Sequence, residues 1–241
     1  MGLTTKDARI VLVRPRNPLN IAAAARAMRN FGLEDLAVVA AYEPVWQDAR
    51  AAPGAEALLR NARVVPRLLD ALQDRTFVLG TSSLARRQPR QAGVFSLSHL
   101  GSLAKKRQGA ERLAILFGSE KTGLSNKDLS YCHAILRIPT EQDCPTMNLG
   151  QAVAVCCYEL QRMAKADRAK PEEPSTRATV GEVTRLVSEI ETMLTEGTEL
   201  TERARNVHLR QMFLRWPLTS QDVTLLLGVL RDLRWRVRSK R

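Results

Sequence analysis

Three short segments rich in glycine and hydroxyl side chains each follow directly on an aliphatic or β-branched run. They are residues 80–83 (Gly-Thr-Ser-Ser), residues 117–124 (Phe-Gly-Ser-Glu-Lys-Thr-Gly-Leu) and residues 138–148, which begin Ile-Pro-Thr and end Thr-Met-Asn. Loops at the carboxyl ends of neighbouring parallel strands open into one crevice, where such folds bind small ligands. The three segments therefore predict a single shared binding site.

The common nucleotide-binding and hydrolase signatures are absent from the sequence. No G-x-G-x-x-G occurs, and the stretch 118–125 has the two glycines of a P-loop but Leu124 where that loop requires lysine. Neither G-x-S-x-G nor H-E-x-x-H is present. The predicted site is therefore neither a dinucleotide fingerprint nor a Walker loop.

The cysteines and histidines are too scattered to predict a metal site. The chain contains Cys132, Cys144, Cys156, Cys157, His99, His133 and His208. No two cysteines form a C-x-x-C pair, and no neighbouring residues complete a zinc spacing. We predict no metal, and we expect small buried thiols in a reducing compartment.

The charge balance indicates a polyanionic partner. The 241 residues carry 37 Lys plus Arg against 25 Asp plus Glu, a formal charge of +12, with +8 in residues 1–164, −3 in 165–201 and +7 in 202–241. Such an excess is typical of nucleic-acid binding, although 5% aromatic residues argue against arrays that stack on bases. No apolar run approaches the ~18 residues of a membrane helix, and no targeting signal is visible, so we expect a cytoplasmic protein without a membrane partner.

Strand and helix patterns alternate over the first two thirds of the chain. Strands are predicted at 9–14, 36–41, 76–80, 112–118 and 134–138, and helices after Asn17 and near 55–62, 66–73, 98–107 and 148–165. This alternation predicts an α/β fold with a mainly parallel sheet covered on both faces.

The last third of the chain has a different pattern. Residues 165–178 combine two prolines with dense charge and are predicted to be a linker. Helices follow near 179–195, 199–215 and 220–238, where they form a small bundle or an extension that docks on a partner protomer. The predicted division is a domain over 1–164, the linker 165–178 and an all-α extension over 179–241.

The loops and the first helix resemble a known family. Residues 20–28, 116–124 and 138–155 resemble, in order, the three motifs of the SpoU/TrmH branch of the SPOUT RNA methyltransferases. The helical tail, with residues 208–215 and 225–231, is similar to that of the TrmJ subgroup. Members of this subgroup methylate the ribose 2′-oxygen of cytidine or uridine at the first anticodon-loop nucleotide of tRNA, position 32.

The resemblance implies a fold that periodicity does not reveal. The C-terminal segment of the parallel sheet would thread a loop to form a deep trefoil knot, and the knot loops would hold S-adenosylmethionine. Two protomers would pair as a homodimer, each supplying catalytic residues near the other's cofactor. Because the resemblance extends to several subgroups, a wobble-position tRNA or ribosomal-RNA methyltransferase, or a catalytically silent RNA-binding protein, remain alternatives.

The resemblance also implies roles for individual residues. Cofactor binding falls to Thr81, Ser82, Ser83, Gly118, Ile138, Pro145, Thr146, Met147 and Asn148, and structural support of the loops to Glu120 and Gly123. Catalysis falls to Arg26, which would stabilise the 2′-oxygen as it gains negative character, with Asn20 beside it. RNA phosphates would be held by Arg14, Arg16, Arg86 and Arg87. The chain departs from the family pattern at Leu19, Ala22 and Ser119, of which Leu19 and Ser119 are expected near the RNA.

Overall fold

The structure is a computed structural model that describes residues 8–50, 53–83, 93–105, 112–166, 177–194 and 202–238. Its strands are β1 (Arg9–Val13), β2 (Asp35–Val39), β3 (Arg63–Val65), β4 (Phe77–Thr81), β5 (Gly93–Ser96), β6 (Leu113–Phe117) and β7 (Ala134–Arg137). Its α-helices are α1 (Pro18–Asn30), α2 (Glu43–Arg50), α3 (Glu56–Asn61), α4 (Leu68–Leu72), α5 (Leu100–Lys105), α6 (Asn126–Leu129), α7 (Leu149–Ala166), α8 (Val180–Leu194), α9 (Glu202–Arg215) and α10 (Ser220–Arg238).

The seven strands form one parallel sheet in the order β3-β2-β1-β6-β4-β7-β5. The five predicted strands are confirmed, and they are the buried ones. The strands that the sequence did not reveal, β3 and β5, are short and largely exposed at the two edges, so they lack a continuous apolar run. The α/β class with a parallel sheet is therefore confirmed.

Alternate side chains of the central strands enter two separate cores. In β1, Ile10 and Leu12 pack beneath α1 and α7, whereas Val11 and Val13 pack on the opposite face of the sheet. All four are fully buried. Because successive strand residues point to opposite faces, this pattern requires a covering layer on each side.

The C-terminal helices supply much of the second layer. Val183, Leu186 and Val187 of α8, Phe213 of α9 and Val223 of α10 are buried in the same core as Val11 and Val13. The extension was expected to form a small bundle or to dock on a partner protomer. Helix α8 packs against α9 and α10, as in a small bundle, and the three helices also cover the sheet of their own chain. An uncovered β-sheet face would expose its apolar side chains to water.

Backbone contacts fix the start of this extension. The amide of Val180 donates to the carbonyl of Arg75 at 2.8 Å, and the amide of Gly181 donates to the carbonyl of Gln73 at 3.1 Å. A Cβ at Gly181 would lie only 2.7 Å from the Gln73 carbonyl oxygen, so a larger residue does not fit. The predicted linker over 165–178 lies mostly outside the described residues.

The buried Arg210 ties α9 to the end of α6. Its guanidinium lies 4.0 Å from the ring centroid of Tyr131 and donates to Ser130 Oγ at 3.1 Å. Burial lowers the pKa of Arg210 below its ordinary value. A cation over an aromatic face gains more when both are withdrawn from water, so this contact anchors the extension close to the loops of the predicted site.

Local signals at α1 act as predicted. The Asn17 side chain accepts from the Leu19 amide at 2.9 Å, Pro18 occupies the first turn, and Gly32 follows the helix with φ of +73°. Among the helices that the structure describes, none is long and apolar enough to cross a membrane.

Candidate active site

The carboxyl ends of β4, β6 and β7 surround a cleft of about 530 Å³. Three loops line it, residues 81–83, 117–124 and the segment from 138 to 149, together with Asn20 at the start of α1. A volume of several hundred Å³ suits a ligand of nucleoside size. The prediction that the three segments form one site is therefore confirmed.

Every residue that the resemblance assigned to the cofactor lines this cleft. These residues are Thr81, Ser82, Ser83, Gly118, Ile138, Pro145, Thr146, Met147 and Asn148. The cleft also contains neighbours that were not singled out, among them Leu124, Leu136 and Thr140. Their position in or beside the predicted loops could have identified them from the sequence.

The cleft has an apolar side and a polar side. Leu136 is buried and Ile138 and Met147 are half-buried, so they offer an apolar surface. The hydroxyl of Thr81 donates to the carbonyl of Leu116 at 2.8 Å and joins β4 to β6, which leaves its oxygen able to accept one further hydrogen bond. This combination fits a ligand with a flat apolar ring and polar substituents.

A contact within the chain requires glycine at position 118. A Cβ there would lie 2.1 Å from the carbonyl carbon of Gly123. The chain's own backbone takes the space. Gly123, with φ of +64°, closes the turn by donating to the Ser119 carbonyl at 2.8 Å. Ser119 is buried within this turn and lines the cleft, and its place near RNA stays a prediction.

Glu120 holds the loops together. It accepts hydrogen bonds from Asn20 Nδ2 at 2.9 Å and from the amides of Arg16 and Asn17 at 3.0 and 3.2 Å. Asn148 Nδ2 donates in turn to Asn20 Oδ1 at 2.8 Å. Burial would raise the pKa of Glu120, but these hydrogen bonds lower it below the ordinary value, so the carboxylate is ionised.

Asn148 completes the connection between the second and third loops. Its Oδ1 accepts from the Gly150 amide at 2.9 Å and caps the start of α7, while its Nδ2 is bound to Asn20. Gly150 meets α1 closely, since a Cβ there would lie 2.6 Å from Ala23 Cβ. The Asn20 side chain is thus engaged on both sides by Glu120 and Asn148, which is the geometry of a brace.

Arg14 has a partner within the chain. Its guanidinium forms an ion pair with the buried Asp128, and its backbone has φ of +53°. Burial would raise the pKa of Asp128, whereas Arg14 and Ser125 lower it. The pairing fastens the loop between β1 and α1 to α6, where Ser125 and Asp128 form a capping box. The S-x-x-D spacing was the available signal for Asp128.

The remaining predicted RNA contacts differ in position. Arg16 is exposed beside the cleft, and only its backbone amide is used by Glu120. Arg86 and Arg87 lie outside the described residues. Three of the four cysteines are buried as expected, but Cys144 is exposed in the third loop, because that segment runs over the rim of the cleft.

Arg26 does not reach the cleft of its own chain. It is exposed on α1 and is absent from the residues that line the cleft. Within the part of the chain that the structure describes, its guanidinium makes no hydrogen bond and no ion pair, and its Nε lies beside Gly54. An arginine left in this state is available to an external anionic group.

The fold is a parallel α/β sheet with a cleft at the carboxyl ends of three strands. Proteins with such sheets bind ligands in this position, and the cleft is large enough for a nucleoside. The chain belongs to the SpoU rRNA Methylase family, whose model matches residues 7–158. The resemblance to RNA methyltransferases of the SpoU branch is thereby confirmed.

Relatives of known name match almost the whole chain. A tRNA (cytidine/uridine-2′-O-)-methyltransferase TrmJ of Sodalis glossinidius is 32% identical over 240 residues, which is 93% of this chain and 90% of the relative. A tRNA (cytidine/uridine/adenosine-2′-O-)-methyltransferase TrmJ of Pseudomonas aeruginosa is 32% identical over 93% of this chain and 92% of its own. The crystal structure of TrmJ from Z. mobilis superposes with a TM-score of 0.78 at 28% identity, covering 94% of this chain and 99% of that one.

Proposed function

We propose that this protein is an S-adenosylmethionine-dependent tRNA ribose 2′-O-methyltransferase that acts on the first nucleotide of the anticodon loop. The similarity to TrmJ relatives extends over the helical extension as well as the methylase region, and this carries the proposal. The cleft and Arg26, whose guanidinium pairs with no described residue, supply the two parts of a methyl-transfer site. A cytoplasmic location accords with this substrate.

The cleft fits S-adenosylmethionine. Its volume suits a nucleoside with a short chain, Ile138 and Met147 offer an apolar slot for adenine, and the loop backbone offers donors and acceptors. When bound, the cofactor supplies an electrophilic methyl group, which passes to the ribose 2′-oxygen as the C–S bond breaks and the hydroxyl proton leaves to solvent. The Glu120 brace keeps the loops in place, so the pocket is largely formed before binding.

Arg26 is the group proposed to act on the ribose. The 2′-oxygen gains negative character as it attacks, and a guanidinium aimed at it lowers the barrier. Arg26 has a free fork of donors with which to hold this oxygen and the adjacent phosphate. It acts as an electrostatic stabiliser, because an arginine keeps its proton at neutral pH.

A homodimer would carry Arg26 to a cleft. The exposed face of α1 includes Leu19, Ala23 and Arg26 at spacings of four and three residues, with Leu19 74% exposed. Next to it, α7 exposes Tyr158, which is 55% accessible and stands edge-on to Phe31. We assign this face to the partner protomer, because Arg26 shares it and cannot serve the cleft of its own chain.

We also propose the trefoil knot of the family. Strands β6 and β7 lie on either side of β4, so the connection over 118–133 crosses the carboxyl end of β4. The segment 138–148 then lines the same cleft as this crossing before α7 begins. The close approach of Gly118 to the 123–124 backbone supports a tightly wrapped crossing. Such a topology is a rare exception among folds.

The extension is proposed to contact the body of the tRNA. Arg231 and Arg236 of α10 are exposed, and Arg234 is only loosely paired with Glu189 at 3.7 Å. Side chains of one sign along a surface helix attract phosphates and make binding sensitive to salt. Arg210 anchors the extension beside α6, which follows the second loop of the cleft.

The test is transfer of a radiolabelled methyl group from S-adenosylmethionine to unmodified tRNA, with nucleoside mapping of the product. We expect a 2′-O-methylated first anticodon-loop nucleotide. Label at the wobble ribose, or only in ribosomal RNA, would refute the assigned substrate while keeping the chemistry. Absence of cofactor binding by calorimetry at millimolar concentration would refute the enzyme and favour a silent RNA-binding protein.

A further inference from the structure

The guanidinium of Arg26 lies near a turn at Gly54, just before α3. A Cβ built on Gly54 would lie 3.9 Å from Nε and 4.0 Å from Cζ of Arg26, so the turn faces the Arg26 side chain across a gap that one methyl group would fill. Gly54 has φ of +86°, a backbone conformation that other residues rarely adopt. The turn therefore borders one side of the space that the Arg26 side chain occupies.

Two side chains hold the turn from opposite directions. Arg29, one helical turn after Arg26, donates from Nη1 to the Gly54 carbonyl at 2.8 Å. Glu56 accepts from the Gly54 amide at 2.9 Å, and this hydrogen bond is the main cause that lowers the pKa of Glu56. The turn is thus bonded to α1 by its carbonyl and to α3 by its amide.

The two neighbouring arginines of α1 differ in what they bind. Residues three apart on a helix lie on the same side, so Arg26 and Arg29 could compete for the same anionic group. Arg29 is occupied by the Gly54 carbonyl, whereas Arg26 makes no hydrogen bond or ion pair with any described residue. The arrangement leaves one guanidinium available and fixes the other.

We propose that the Gly54 turn, held by Arg29 and Glu56, positions Arg26 for the methyl transfer. This inference rests on the function proposed above and adds Arg29 and Glu56 to it as positioning residues. A long, flexible side chain loses conformational freedom when it binds a transition state, and a neighbouring backbone held in place beside it would exclude part of its range and reduce that loss. The reacting oxygen then meets a guanidinium that is aimed in advance.

The decisive variant is Arg29→Met, which removes the hydrogen bond to Gly54 and keeps a long side chain. We expect kcat for tRNA methylation to fall about tenfold, with unchanged KM for tRNA and unchanged cofactor affinity. Arg29→Lys keeps a donor and should recover most of kcat. Glu56→Ala, which releases the other side of the turn, should also lower kcat. The control is Arg60→Met, an exposed arginine of α3, which should behave as the wild type.

Two other roles for Arg29 give different results. If Arg29→Met raises KM for tRNA and reduces the salt dependence of binding by about one charge while kcat is kept, Arg29 contacts a phosphate and the inference is wrong. If the melting temperature falls while kcat is kept, Arg29 is only structural, and the inference is also wrong.

A measurement without turnover separates this inference from the proposed function. Relaxation of the Arg26 Nε–H group in the free protein reports its freedom on the ps–ns timescale. We expect a restricted Nε–H in the wild type and in Arg60→Met, and a mobile one in Arg29→Met. Equal mobility in all three overturns the inference even if tRNA is methylated. Absence of methyl transfer by a wild type with a restricted Arg26 overturns the proposed function alone.

Discussion

At the amino end of the sheet, Arg9 is fully buried, and its charge is met by Asp35 and Asp74. Arg75 joins the same cluster through Asp74 at 2.5 Å. At the carboxyl end, Glu120 is met by amide groups, those of the Asn20 side chain and of the backbone at Arg16 and Asn17. The buried charge of Arg9 is thus met by opposite charges, whereas the charge of Glu120 is met by neutral groups.

The amino end of the sheet contributes to stability, whereas the carboxyl end forms the binding cleft. The cluster around Arg9 is closed, because Nε, Nη1 and Nη2 all donate to carboxylates. The carboxyl end keeps a cleft of about 530 Å³ and, on α1, an Arg26 guanidinium that no described residue pairs. A satisfied buried network rigidifies a fold, whereas a group left unsatisfied is held ready for a ligand.

The largest expected effect is on stability at the amino end. Arg9→Met removes a buried partner from two carboxylates, and we expect a loss of about 3 kcal/mol in the free energy of unfolding. The measurement is urea denaturation of the purified protein. The control, Arg67→Met, breaks the exposed Arg67–Asp70 pair and should leave the free energy of unfolding almost unchanged. Equal small losses would mean that the Arg9 cluster contributes no more than a surface pair.

At Arg26 we expect a loss of activity without a loss of stability. Arg26→Ala should lower kcat by roughly 10²–10³-fold, with unchanged cofactor affinity and melting temperature, since the side chain has no partner within the described chain. Methyl transfer and calorimetry on the same sample measure both. A loss of stability in this variant, with turnover kept, would place Arg26 with the structural arginines and remove the contrast with Arg9.

A smaller effect on both properties is expected at Glu120. Glu120→Gln removes the charge and offers only one acceptor oxygen to three donors, so we expect a loss of about 1–2 kcal/mol in stability and weaker cofactor binding. The exposed Glu141 of the third loop gives the matched control, Glu141→Gln. If both variants bind the cofactor as tightly as the wild type, the amide brace does not shape the cleft.

The smallest effect is expected in acid. Burial would raise the pKa of Asp74, but Arg75 and Arg9 hold it well below its ordinary value. A carboxylate with a depressed folded-state pKa contributes stability above its unfolded value, and this contribution is lost as pH falls below about 4. We expect Asp74→Asn to have a flatter fall in unfolding free energy between about pH 4 and pH 2. If Asp74→Asn and the wild type lose stability equally over this pH range, Asp74 does not contribute to acid unfolding.

The sequence predicted those parts of the molecule whose signals are local. Five buried strands, the Asn17 cap and the three loops of the cleft follow from apolar runs and turn residues that neighbours in sequence provide. The surroundings of Arg9, Arg14 and Arg26 do not, because Asp74, Asp128 and Gly54 lie 65, 114 and 28 residues away in the chain. In sequence these three arginines look equivalent. In the folded protein Arg9 belongs to a buried ion cluster, Arg14 ties a loop to α6, and Arg26 pairs with no described residue.

The covering of the second sheet face also escaped the sequence. The last helices show a clear amphipathic pattern, and that pattern predicts an apolar face without saying which surface it covers. Val180 and Gly181 bond to the backbone near residue 75, an association that depends on tertiary structure alone. The sequence therefore predicted a small bundle but not that this bundle covers the sheet of its own chain.

The shared core has a consequence for how the chain is made. Helices α8, α9 and α10 are synthesised after the sheet, yet they cover the apolar side chains of Val11, Val13 and their neighbours on β2, β4 and β6. Before these helices are made, the described part of the first 166 residues covers that face mainly with α4 and α6. Contacts between the two ends of a chain form slowly, and an uncovered β-sheet invites aggregation. Once α8, α9 and α10 are complete, they cover this apolar face and protect the nascent protein from aggregation.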